Sequence, residues 1–499
     1  MTDHPTFKDD VDALELLMLR GEGSVKTRSA MLSVLLLETA PDFTELRATF
    51  DQASRQFIRL RQHVVMPAIG ITPPKWVVDP DFDLNYHLRR LSAPAPARLR
   101  DVLDSASQIL AAPMDLDRPL WEVYLIEGLQ EPGANAALLM KMHHAVSDGM
   151  GGLLLLKLLF STTPDGKPQA DIPPPIPQDL DPLTLTRRGL NRAITHALPT
   201  VGNTLKRGVS FGKGVLRNPS ESLNTLREQW QSSKRILGPS DSTPSPLLMR
   251  RSFGRHLDVL DFPLADIRRC AKALNATVND VYIAAIAGAM QRYHQALNSP
   301  HDAIPLAMPV SLRTDGNSGG GNQFAAARIN LPLNEGDPKQ RIAAIHEQTL
   351  KAIAEPAINI VNRMAPLLVH LPNAALQELG EMASQIDVQA SNVPGLRESA
   401  YIAGSKINKM YPFGPLPGIP LMLVMMSHDG VCYIGSHCDT AAIRDPQLWM
   451  QCLQEEFSAM FTAEAKVTKP RAPRKKTPTA KRPARAKAAA QSKAGKGSL

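Results

Sequence analysis

The stretch 138–160 contains the residues of this chain best suited to chemistry. An apolar run ends at His143 and His144, Asp148 and Gly149 follow, and a second strongly apolar run then begins. This order predicts a strand, a loop and a helix, with the polar residues in the loop. A neutral imidazole is the natural base for taking a proton from a hydroxyl near pH 7, and such a transfer contributes roughly 10² to 10⁴ in rate. The segment therefore indicates general-base catalysis on a hydroxyl group.

The two histidines are expected to have different roles. Neighbouring side chains on an extended segment point to opposite faces, so His143 and His144 cannot readily bind one metal ion together, and one of them faces the site. Asp148 is placed to cap the following helix or to hold the loop through an ion pair, and Gly149 allows a tight turn. A histidine pair alone is more often structural, so the prediction of chemistry depends on the full HHxxxDG pattern.

The HHxxxDG pattern at 143–149 resembles the active-site motif of the CoA-dependent acyltransferase superfamily. That superfamily includes chloramphenicol acetyltransferase, plant alcohol acyltransferases and the condensation domains of peptide synthetases. In it the second histidine is the base and the aspartate is mainly structural. The resemblance therefore implies that His144 is the catalytic base, with His143, Asp148 and Gly149 completing the motif.

Further short motifs narrow the resemblance to one family. They are PLW at 119–121, the pair Asn279 and Asp280, PVSLR at 309–313, the pair Gly321 and Asn322, and SNVPG at 391–395. In this order they look like the bacterial wax ester synthase/acyl-CoA:diacylglycerol acyltransferase family, over about residues 10–460. The resemblance implies an α/β protein with two chloramphenicol-acetyltransferase-like mixed domains, a helical crossover linker and an active-site channel between the domains.

The resemblance also implies the reaction. Acyl-CoA is the expected co-substrate, diacylglycerol or a long-chain alcohol is the acceptor, and no cofactor or metal is expected. His144 would deprotonate the acceptor hydroxyl as it attacks the thioester carbonyl, forming triacylglycerol or wax ester. Two departures leave the acceptor open, because Leu396 stands where the family usually has proline and the segment 21–27 (GEGSVKT) is less hydrophobic than in typical members.

Attack on a thioester also needs a hydrogen-bond donor aimed at the developing oxyanion, worth roughly 3 to 4 kcal/mol when it is one well-placed group. Asn279 is the candidate, and it could equally be a helix N-cap or a buried amide that joins two strands. Asn392 is a weaker candidate, because Asn before Val-Pro-Gly is ordinary turn chemistry. Trp121 is expected in the core, and Arg313 is a candidate ion-pair partner for Asp148.

Proline divides the chain into blocks. Seven prolines lie between Pro164 and Pro182, and the stretch Gly238–Pro246 makes a second break. The residues between the breaks are expected to be helical, because apolar residues recur every three or four positions. The stretch is also basic, with seven Lys or Arg and no acid from Leu183 to Arg217.

The expected organisation is an N-terminal domain at 1–180, a crossover linker at 181–245, a C-terminal domain at 246–464 and a tail at 465–499.

Periodicity predicts particular elements within the two blocks. A helix is expected over Asp42–Val64 and a short buried strand at Ala136–Met142. In the second block a buried, alanine-rich helix is expected over Val278–Tyr293. Strands at Pro420–Met426 and Val431–Ile434 are expected to form a hairpin, since turn residues separate them.

Charge separates the body of the chain from its end. The formal net charge is +8, from 56 Lys and Arg against 48 Asp and Glu, but residues 465–499 hold twelve of those cations and no acid. The rest carries 44 cations against 48 acids, a net charge of −4, which excludes a basic nucleic-acid-binding body. The tail has almost no apolar residue and is expected to be disordered. It either contacts polyanions such as DNA or acidic lipid, or is only a soluble extension.

The sequence also bears on location. Four cysteines, none in a CxxC pair, argue against a disulfide scaffold and a zinc ribbon, and the polar start at Met1–Asp12 lacks the form of a secretory signal. A cytoplasmic location is therefore expected.

The apolar runs are much shorter than the ~20 residues of a membrane-crossing helix. Attachment to a membrane or lipid droplet would be peripheral, through the basic amphipathic stretch 183–217, unless that stretch only packs on its own domains.

Three functions are compatible with these features. The first is an O-acyltransferase that uses acyl-CoA to make triacylglycerol or wax ester. The second is a condensation-type acyltransferase that takes its acyl group from a carrier-protein thioester, for which the same histidine would serve. The third is a non-catalytic lipid-droplet or nucleoid-associated protein that keeps the fold.

Overall fold

The computed structural model describes most of the two blocks on either side of the linker. Asp148, Arg313, Gly321, Asn322, most of the linker and the tail beyond residue 467 lie outside the described residues, and what the sequence predicts for them stays a prediction. The described residues are 7–70, 72–147, 149–166, 172–191, 242–311, 324–355, 364–365, 368–369, 371 and 385–467.

The described part of the N-terminal half contains both helices and strands. Its helices are α1 (Ala13–Gly21), α2 (Phe43–Gln56), α3 (Leu84–His87), α4 (Leu99–Ala111), α5 (Gly149–Leu159) and α6 (182–191). Its strands are β1 (Ala30–Leu37), β2 (Gln62–Val65), β3 (Lys75–Val78), β4 (Leu88–Ser92), β5 (Trp121–Glu131) and β6 (Ala134–His143).

The described part of the C-terminal half is mixed in the same way, so the α/β class is confirmed. Its helices are α7 (Leu264–Ala273), α8 (Val278–Ala296), α9 (Pro338–Ile353) and α10 (Pro446–Val467). Its strands are β7 (Arg255–Pro263), β8 (Ala303–Ser311), β9 (Phe324–Pro332), β10 (Val388–Val393), β11 (Ala400–Ile402), β12 (Ser405–Phe413), β13 (Leu421–His428) and β14 (Val431–Asp439).

The first sheet carries β6, the strand that leads to the histidine pair. Its strand order is β11-β12-β1-β6-β5-β4, and β6 runs antiparallel to both β1 and β5. β6 has the sequence ANAALLMKMH and is buried along nearly all of its length, as a continuous apolar run at the centre of a covered sheet must be. The strand predicted at Ala136–Met142 is confirmed, with two more residues at its start and one at its end.

The second sheet has the order β7-β14-β13-β10-β8-β9, with β10 parallel to β13 and to β8. The hairpin between β13 and β14 pairs His428 with Val431, which leaves a two-residue turn of Asp429 and Gly430. Both turn residues have positive φ, 45° and 77°, as the tight turn of a twisted hairpin requires. The predicted hairpin is confirmed.

Hydrogen bonds join the two halves of the chain. Strands β11 and β12 come from the C-terminal half but complete the first sheet, where β12 pairs antiparallel with β1. Within the C-terminal half, Tyr433 Oη of β14 donates to the Asn408 carbonyl of β12 at 3.0 Å, which joins the second sheet to the first. Ser107 Oγ of α4 donates to the Arg255 carbonyl of β7 at 2.9 Å. The C-terminal block therefore contributes directly to the sheet that bears the histidine pair.

Helix α8 lies in the interior of the second half. Thr277 is its N-cap, and Asp280 completes a capping box with it. The middle of the helix is apolar on every side and buried, which is the pattern of an interior helix. A Cβ atom at Gly288 would overlap the guanidinium of Arg341 and the carboxylate of Glu456, so a larger residue there would force these buried side chains to shift. The predicted buried helix is confirmed and extends to Ala296.

The helix predicted over Asp42–Val64 is wrong in its second half. α2 ends at Gln56, and Phe57 leaves the helical region with φ −100° and ψ 83°. The Arg59 guanidinium then lies over the Trp76 ring, 4.4 Å from its centroid, and residues 62–65 pair with β3 as β2. These contacts with distant residues outweigh the local helical periodicity, because they satisfy the backbone of β2 and bury the side chains beside it.

The helical character expected for the linker is confirmed where the chain is described, at α6. Leu185 of α6 is buried in a small cluster with Val65 and Val77, whereas Leu183 and Leu190 are exposed. Within the described ranges, no helix is both long enough and apolar enough to cross a membrane.

Candidate active site

His144 lies immediately after β6, where the chain enters a turn. Its backbone N–H donates to the Ser29 carbonyl at 2.9 Å, which ties the turn to the residue that precedes β1. The His144 side chain is partly exposed, whereas His143 is fully buried. The two rings therefore lie in different surroundings, as the alternation of side chains along an extended segment predicts.

His143 supports the turn from inside. Its Nδ1 accepts the backbone N–H of Ala145 at 3.0 Å, and its Nε2 lies 3.1 Å from Oε1 of Glu22. A neutral imidazole that accepts at Nδ1 carries its proton on Nε2, the nitrogen that lies near the Glu22 carboxylate. With no exposed surface, His143 serves the structure of the turn.

Glu22 belongs to this site although sequence reasoning did not single it out. Its side chain is buried, and Oε1 accepts the backbone N–H of Ser29 at 2.8 Å. Burial raises the pKa of Glu22, but the His143 ring, the Ser29 N–H and the Arg28 charge outweigh burial and leave the pKa lowered. The one sequence signal for it was an acidic residue in a segment, 21–27, that is less hydrophobic than in the family it resembles.

A buried ion pair of Lys141 and Glu122 lies on the same face of β6 as His143. Lys141, two residues earlier, donates from Nζ to the Ala112 carbonyl at 2.8 Å, and its Nζ lies 3.7 Å from Oε2 of Glu122. The same oxygen accepts from Tyr124 Oη at 2.9 Å. Burial lowers the pKa of Lys141, and the Glu122 charge opposes part of that effect. Specific partners therefore hold the polar groups on this face.

Gly149 is the first residue of α5, so the predicted order of strand, loop and helix around the histidines is confirmed. The turn after His144 leads directly to a helix N-terminus. Asp148 and Arg313 lie outside the described residues, so a helix cap by Asp148 and an ion pair between the two stay predictions.

Asn279 and Asp280 open α8 but have different environments. The Asp280 carboxylate is fully buried, accepts the Thr277 N–H at 2.8 Å and lies 2.8 Å from Nδ1 of His346, which is a structural role. Asn279 is partly exposed, and its Nδ2 donates to Sδ of Met308 at 3.6 Å. Because Thr277 is the N-cap, the N-cap alternative for Asn279 is wrong. A role for Asn279 at the oxyanion stays a prediction.

The two remaining candidates lie in different surroundings. Trp121 is buried at the start of β5, where its Nε1 donates to the Leu60 carbonyl at 2.8 Å and its ring stacks on His87 at 4.5 Å, so its expected place in the core is confirmed. Asn392 is exposed, and it belongs to β10 opposite Met425 rather than to a turn. The expectation of turn chemistry for Asn392 is wrong, because pairing with β13 holds the residue extended.

A cleft between the two halves borders the histidine strand. Ala30, one of its lining residues, is the cross-strand partner of His143. His437 is another lining residue; it is buried, with Nδ1 2.8 Å from the Gly414 carbonyl, and burial lowers its pKa to about 4. The first half contributes Val25, Arg28, Ala30, Leu110 and Ala111 to the lining, and the second half contributes Arg255, Pro415, Leu416 and His437.

The polar clusters of the described residues do not have the composition of a metal site. Among the residues that the structure describes, no three His, Cys, Asp or Glu side chains form a group that could hold a metal ion. The four cysteines are all buried, and none is in a disulfide bond.

Two family models match this chain. One is described as the wax ester synthase/diacylglycerol acyltransferase catalytic domain and matches residues 3–282. The other is described as the WS/DGAT C-terminal domain and matches residues 320–461. Together the two matches include most of both blocks.

Relatives of known sequence agree with the family models. A protein of Mycobacterium tuberculosis (strain H37Rv), provisionally named a diacylglycerol O-acyltransferase, is 39% identical over 457 residues, which is 92% of each chain. A second protein of that strain with the same provisional name is 30% identical over 87% of this chain and 92% of its own length.

Solved structures share the fold. The wax ester synthase/diacylglycerol acyltransferase from Marinobacter aquaeolei VT8 matches with a TM-score of 0.60 and 23% identity, over 91% of this chain and all of that one. The first condensation domain of the calcium-dependent antibiotic synthetase matches with a TM-score of 0.59 and 14% identity, over 93% and 96% of the two chains. The predicted fold of two chloramphenicol-acetyltransferase-like domains is confirmed.

Proposed function

The chain belongs to the wax ester synthase/diacylglycerol acyltransferase family and is an acyltransferase, and on this premise we propose its substrates and its base. It transfers a fatty acyl group from acyl-CoA to the hydroxyl of diacylglycerol or of a long-chain alcohol. The products are triacylglycerol or wax ester, together with free CoA. His144 is the general base.

The observation that carries the choice of base is the contrast between the two histidines. The His143 ring is sealed, with Nδ1 bonded to the Ala145 N–H and Nε2 3.1 Å from Glu22 Oε1. The His144 ring is partly exposed on a backbone that the Ser29 carbonyl holds in place. A base must reach a substrate hydroxyl, so His144 is the histidine suited to the reaction.

In the proposed mechanism the His144 imidazole accepts the hydroxyl proton while the hydroxyl oxygen attacks the thioester carbonyl carbon. The new C–O bond forms, and the carbonyl electron pair moves to the oxygen, where the amide of Asn279 is the candidate hydrogen-bond donor. The electron pair on the oxyanion then re-forms the carbonyl as the C–S bond breaks, the sulfur of CoA leaves with the bonding electrons, and the imidazolium returns its proton to that sulfur. The base is neutral again after each turnover.

The test is transfer by the purified protein of radiolabelled palmitate from palmitoyl-CoA to hexadecanol or to diacylglycerol. We expect labelled product with at least one acceptor, and a loss of about 10²-fold or more in the His144→Ala variant. His63→Ala is the matched control, because His63 is another partly exposed histidine, on β2, and should keep full activity.

Two results would contradict this proposal. Product from an acyl-carrier-protein thioester, with none from palmitoyl-CoA, would favour the condensation-type reaction. Unchanged neutral-lipid formation by a folded His144→Ala variant would remove His144 as the base and favour a non-catalytic role.

We also propose that the enzyme works in the cytoplasm, attached peripherally to a membrane or lipid droplet through α6. Leu183 is 73% exposed and Leu190 is 45% exposed, and their spacing of seven residues places them on one face of the helix. The exposed Arg187 lies between them. Ile69, which is 61% exposed, is adjacent because its N–H donates to Thr186 of α6. Apolar side chains beside arginine gain both burial and attraction to anionic lipid.

Flotation with anionic and with zwitterionic vesicles tests this attachment. The Leu183→Ser/Leu190→Ser variant is expected to bind anionic vesicles several-fold more weakly than the unchanged protein. Leu350→Ser is the control, because Leu350 is equally apolar and exposed but lies on α9. Equal binding by all three proteins would exclude α6 as the attachment site.

A contact with polyanions is proposed for the tail, on its twelve cations alone. Binding of the full chain to DNA or to anionic vesicles should then fall steeply as salt rises. Binding that is unchanged when the chain is shortened to residue 467 would leave the tail as a soluble extension.

A further inference from the structure

We propose that Glu22 is a positioning residue that holds the turn at His144 through His143 and Ser29. This inference rests on the proposed role of His144 as the base. It concerns a carboxylate that touches neither the acceptor nor the thioester and acts on the base only through other residues.

The first connection from Glu22 to His144 goes through the backbone of Ser29. Glu22 Oε1 accepts the Ser29 N–H at 2.8 Å, and the carbonyl of the same residue accepts the His144 N–H at 2.9 Å. The N–H and the carbonyl of one residue are thus both engaged, one by Glu22 and the other by His144. A shift of the Glu22 carboxylate would move Ser29 and loosen the anchor of His144.

The second connection goes through the side chain of His143. Glu22 Oε1 lies 3.1 Å from Nε2 of His143, and Nδ1 of the same ring accepts the Ala145 N–H at 3.0 Å. An ionised carboxylate favours the proton on Nε2, which leaves Nδ1 as the acceptor that Ala145 requires. One buried carboxylate therefore fixes the residues on both sides of His144.

The charges around Glu22 favour its ionised form. Arg28 and the His143 ring both lower the pKa of Glu22, and the Glu22 charge acts to raise the pKa of the buried Lys141. Burying an ionised carboxylate without partners costs free energy. The partners of Glu22 therefore stabilise a charged hydrogen-bond acceptor next to the turn at His144.

The test compares Glu22→Ala and Glu22→Gln with Glu15→Ala in the acyl-transfer assay. Glutamine keeps an acceptor oxygen for Ser29 and His143, whereas alanine removes it. We expect Glu22→Ala to lower kcat by about 10- to 100-fold with KM changed less than about threefold, and Glu22→Gln to recover most of that loss. Glu15 is a fair control because it is a buried carboxylate on α1 that accepts from Trp76, away from His143.

Rates are compared at equal folded fraction, measured by circular dichroism, so a variant that only folds poorly is recognised. The inference is overturned if Glu22→Ala keeps the kcat of the unchanged protein, or if its loss matches that of Glu15→Ala and glutamine restores nothing.

A second readout does not depend on activity. In ¹⁵N-histidine NMR spectra the His143 signals, assigned by their loss in His143→Ala, should show a proton on Nε2 in the unchanged protein, and Glu22→Ala should change that pattern. A proton on Nδ1 in the unchanged protein would overturn the inference. If the unchanged protein transfers no acyl group, the proposed function fails, while the NMR result still decides whether Glu22 orients His143.

Discussion

The backbone N–H groups of His143 and His144 donate to opposite neighbours, that of His143 to the Leu120 carbonyl at 3.0 Å and that of His144 to the Ser29 carbonyl at 2.9 Å. This alternation belongs to extended chains at the centre of a sheet, where successive groups point to opposite sides. It leaves one ring sealed in the interior and the other partly exposed. Two identical residues in succession thus have distinct structural and chemical environments.

The two histidine substitutions should therefore separate stability from chemistry. His143→Ala leaves the Ala145 N–H and the Glu22 carboxylate buried without this partner, and should lower the free energy of unfolding by about 2 to 4 kcal/mol. His144→Ala should lower it by less than about 1 kcal/mol. Urea denaturation measures both values, and an equal loss in the two variants would show that His144 is also structural.

Asn279→Ala should separate an oxyanion donor from a packing residue. If the Asn279 amide stabilises the oxyanion, kcat should fall by about 10²- to 10³-fold. The free energy of unfolding should change by less than about 1 kcal/mol, because the contact with Met308 is a weak hydrogen bond to sulfur. Steady-state kinetics at saturating acyl-CoA gives the first value, and unchanged kcat would remove Asn279 from the mechanism.

Gly395→Ala should destabilise the protein, because a Cβ atom there would lie 1.8 Å from the Ser427 carbonyl oxygen. The backbone must move to admit the methyl group, and we expect a cost of about 1 to 3 kcal/mol. Gly336→Ala is the control, since a Cβ at Gly336 would have no atom within 4 Å. Thermal unfolding of both variants checks this prediction, which fails if their midpoints are the same.

Glu456→Ala should be among the most damaging single changes in the second half. Glu456 is buried between Arg341, whose Nη1 lies 2.5 Å from Oε1, and Arg292, whose Nε lies 2.7 Å from Oε2. Removing one member of a buried ion pair costs about 3 to 5 kcal/mol, because the other charge stays buried. Glu347→Ala breaks the exposed pair with Lys351 and should leave the stability nearly unchanged. Denaturant midpoints of the two variants provide the comparison.

The buried His437 should make stability depend on pH. Burial lowers its pKa to about 4, against roughly 6.5 in an unfolded chain, so between these values only the unfolded state binds the proton. The contribution of His437 to the free energy of unfolding is therefore largest above about pH 6.5. It falls by at most about 3 kcal/mol as the pH falls toward 4. Burial raises the pKa of Asp387 to about 6, which acts in the opposite direction over part of this range.

The variant His437→Gln isolates this contribution. Its free energy of unfolding should fall less steeply than that of the unchanged protein between pH 6.5 and pH 4. Urea denaturation at several pH values measures both slopes, and parallel slopes would mean that His437 is not neutral in the folded state.

Elements that depend on near neighbours in sequence were predicted correctly. The apolar run of β6, the capped start and alanine-rich body of α8, and the turn at Asp429 and Gly430 each carry their signal within a few residues. The end of α2 was missed because a helical period continues past Gln56 in the sequence. In the structure residues 62–65 pair with β3 and are not helical, and no local sequence pattern predicts this partner.

Local sequence was sufficient to place His144 at the end of a strand and before a helix. It was also sufficient to identify the HHxxxDG motif as a candidate for general-base catalysis. Packing of distant segments was needed to bring Glu22 to His143, and to insert β12 from the far end of the chain beside β1. The physical reason is that helices, turns and strand alternation depend on interactions a few residues apart. The partner of a buried charge or of a sheet edge depends instead on which distant segments pack together when the core forms.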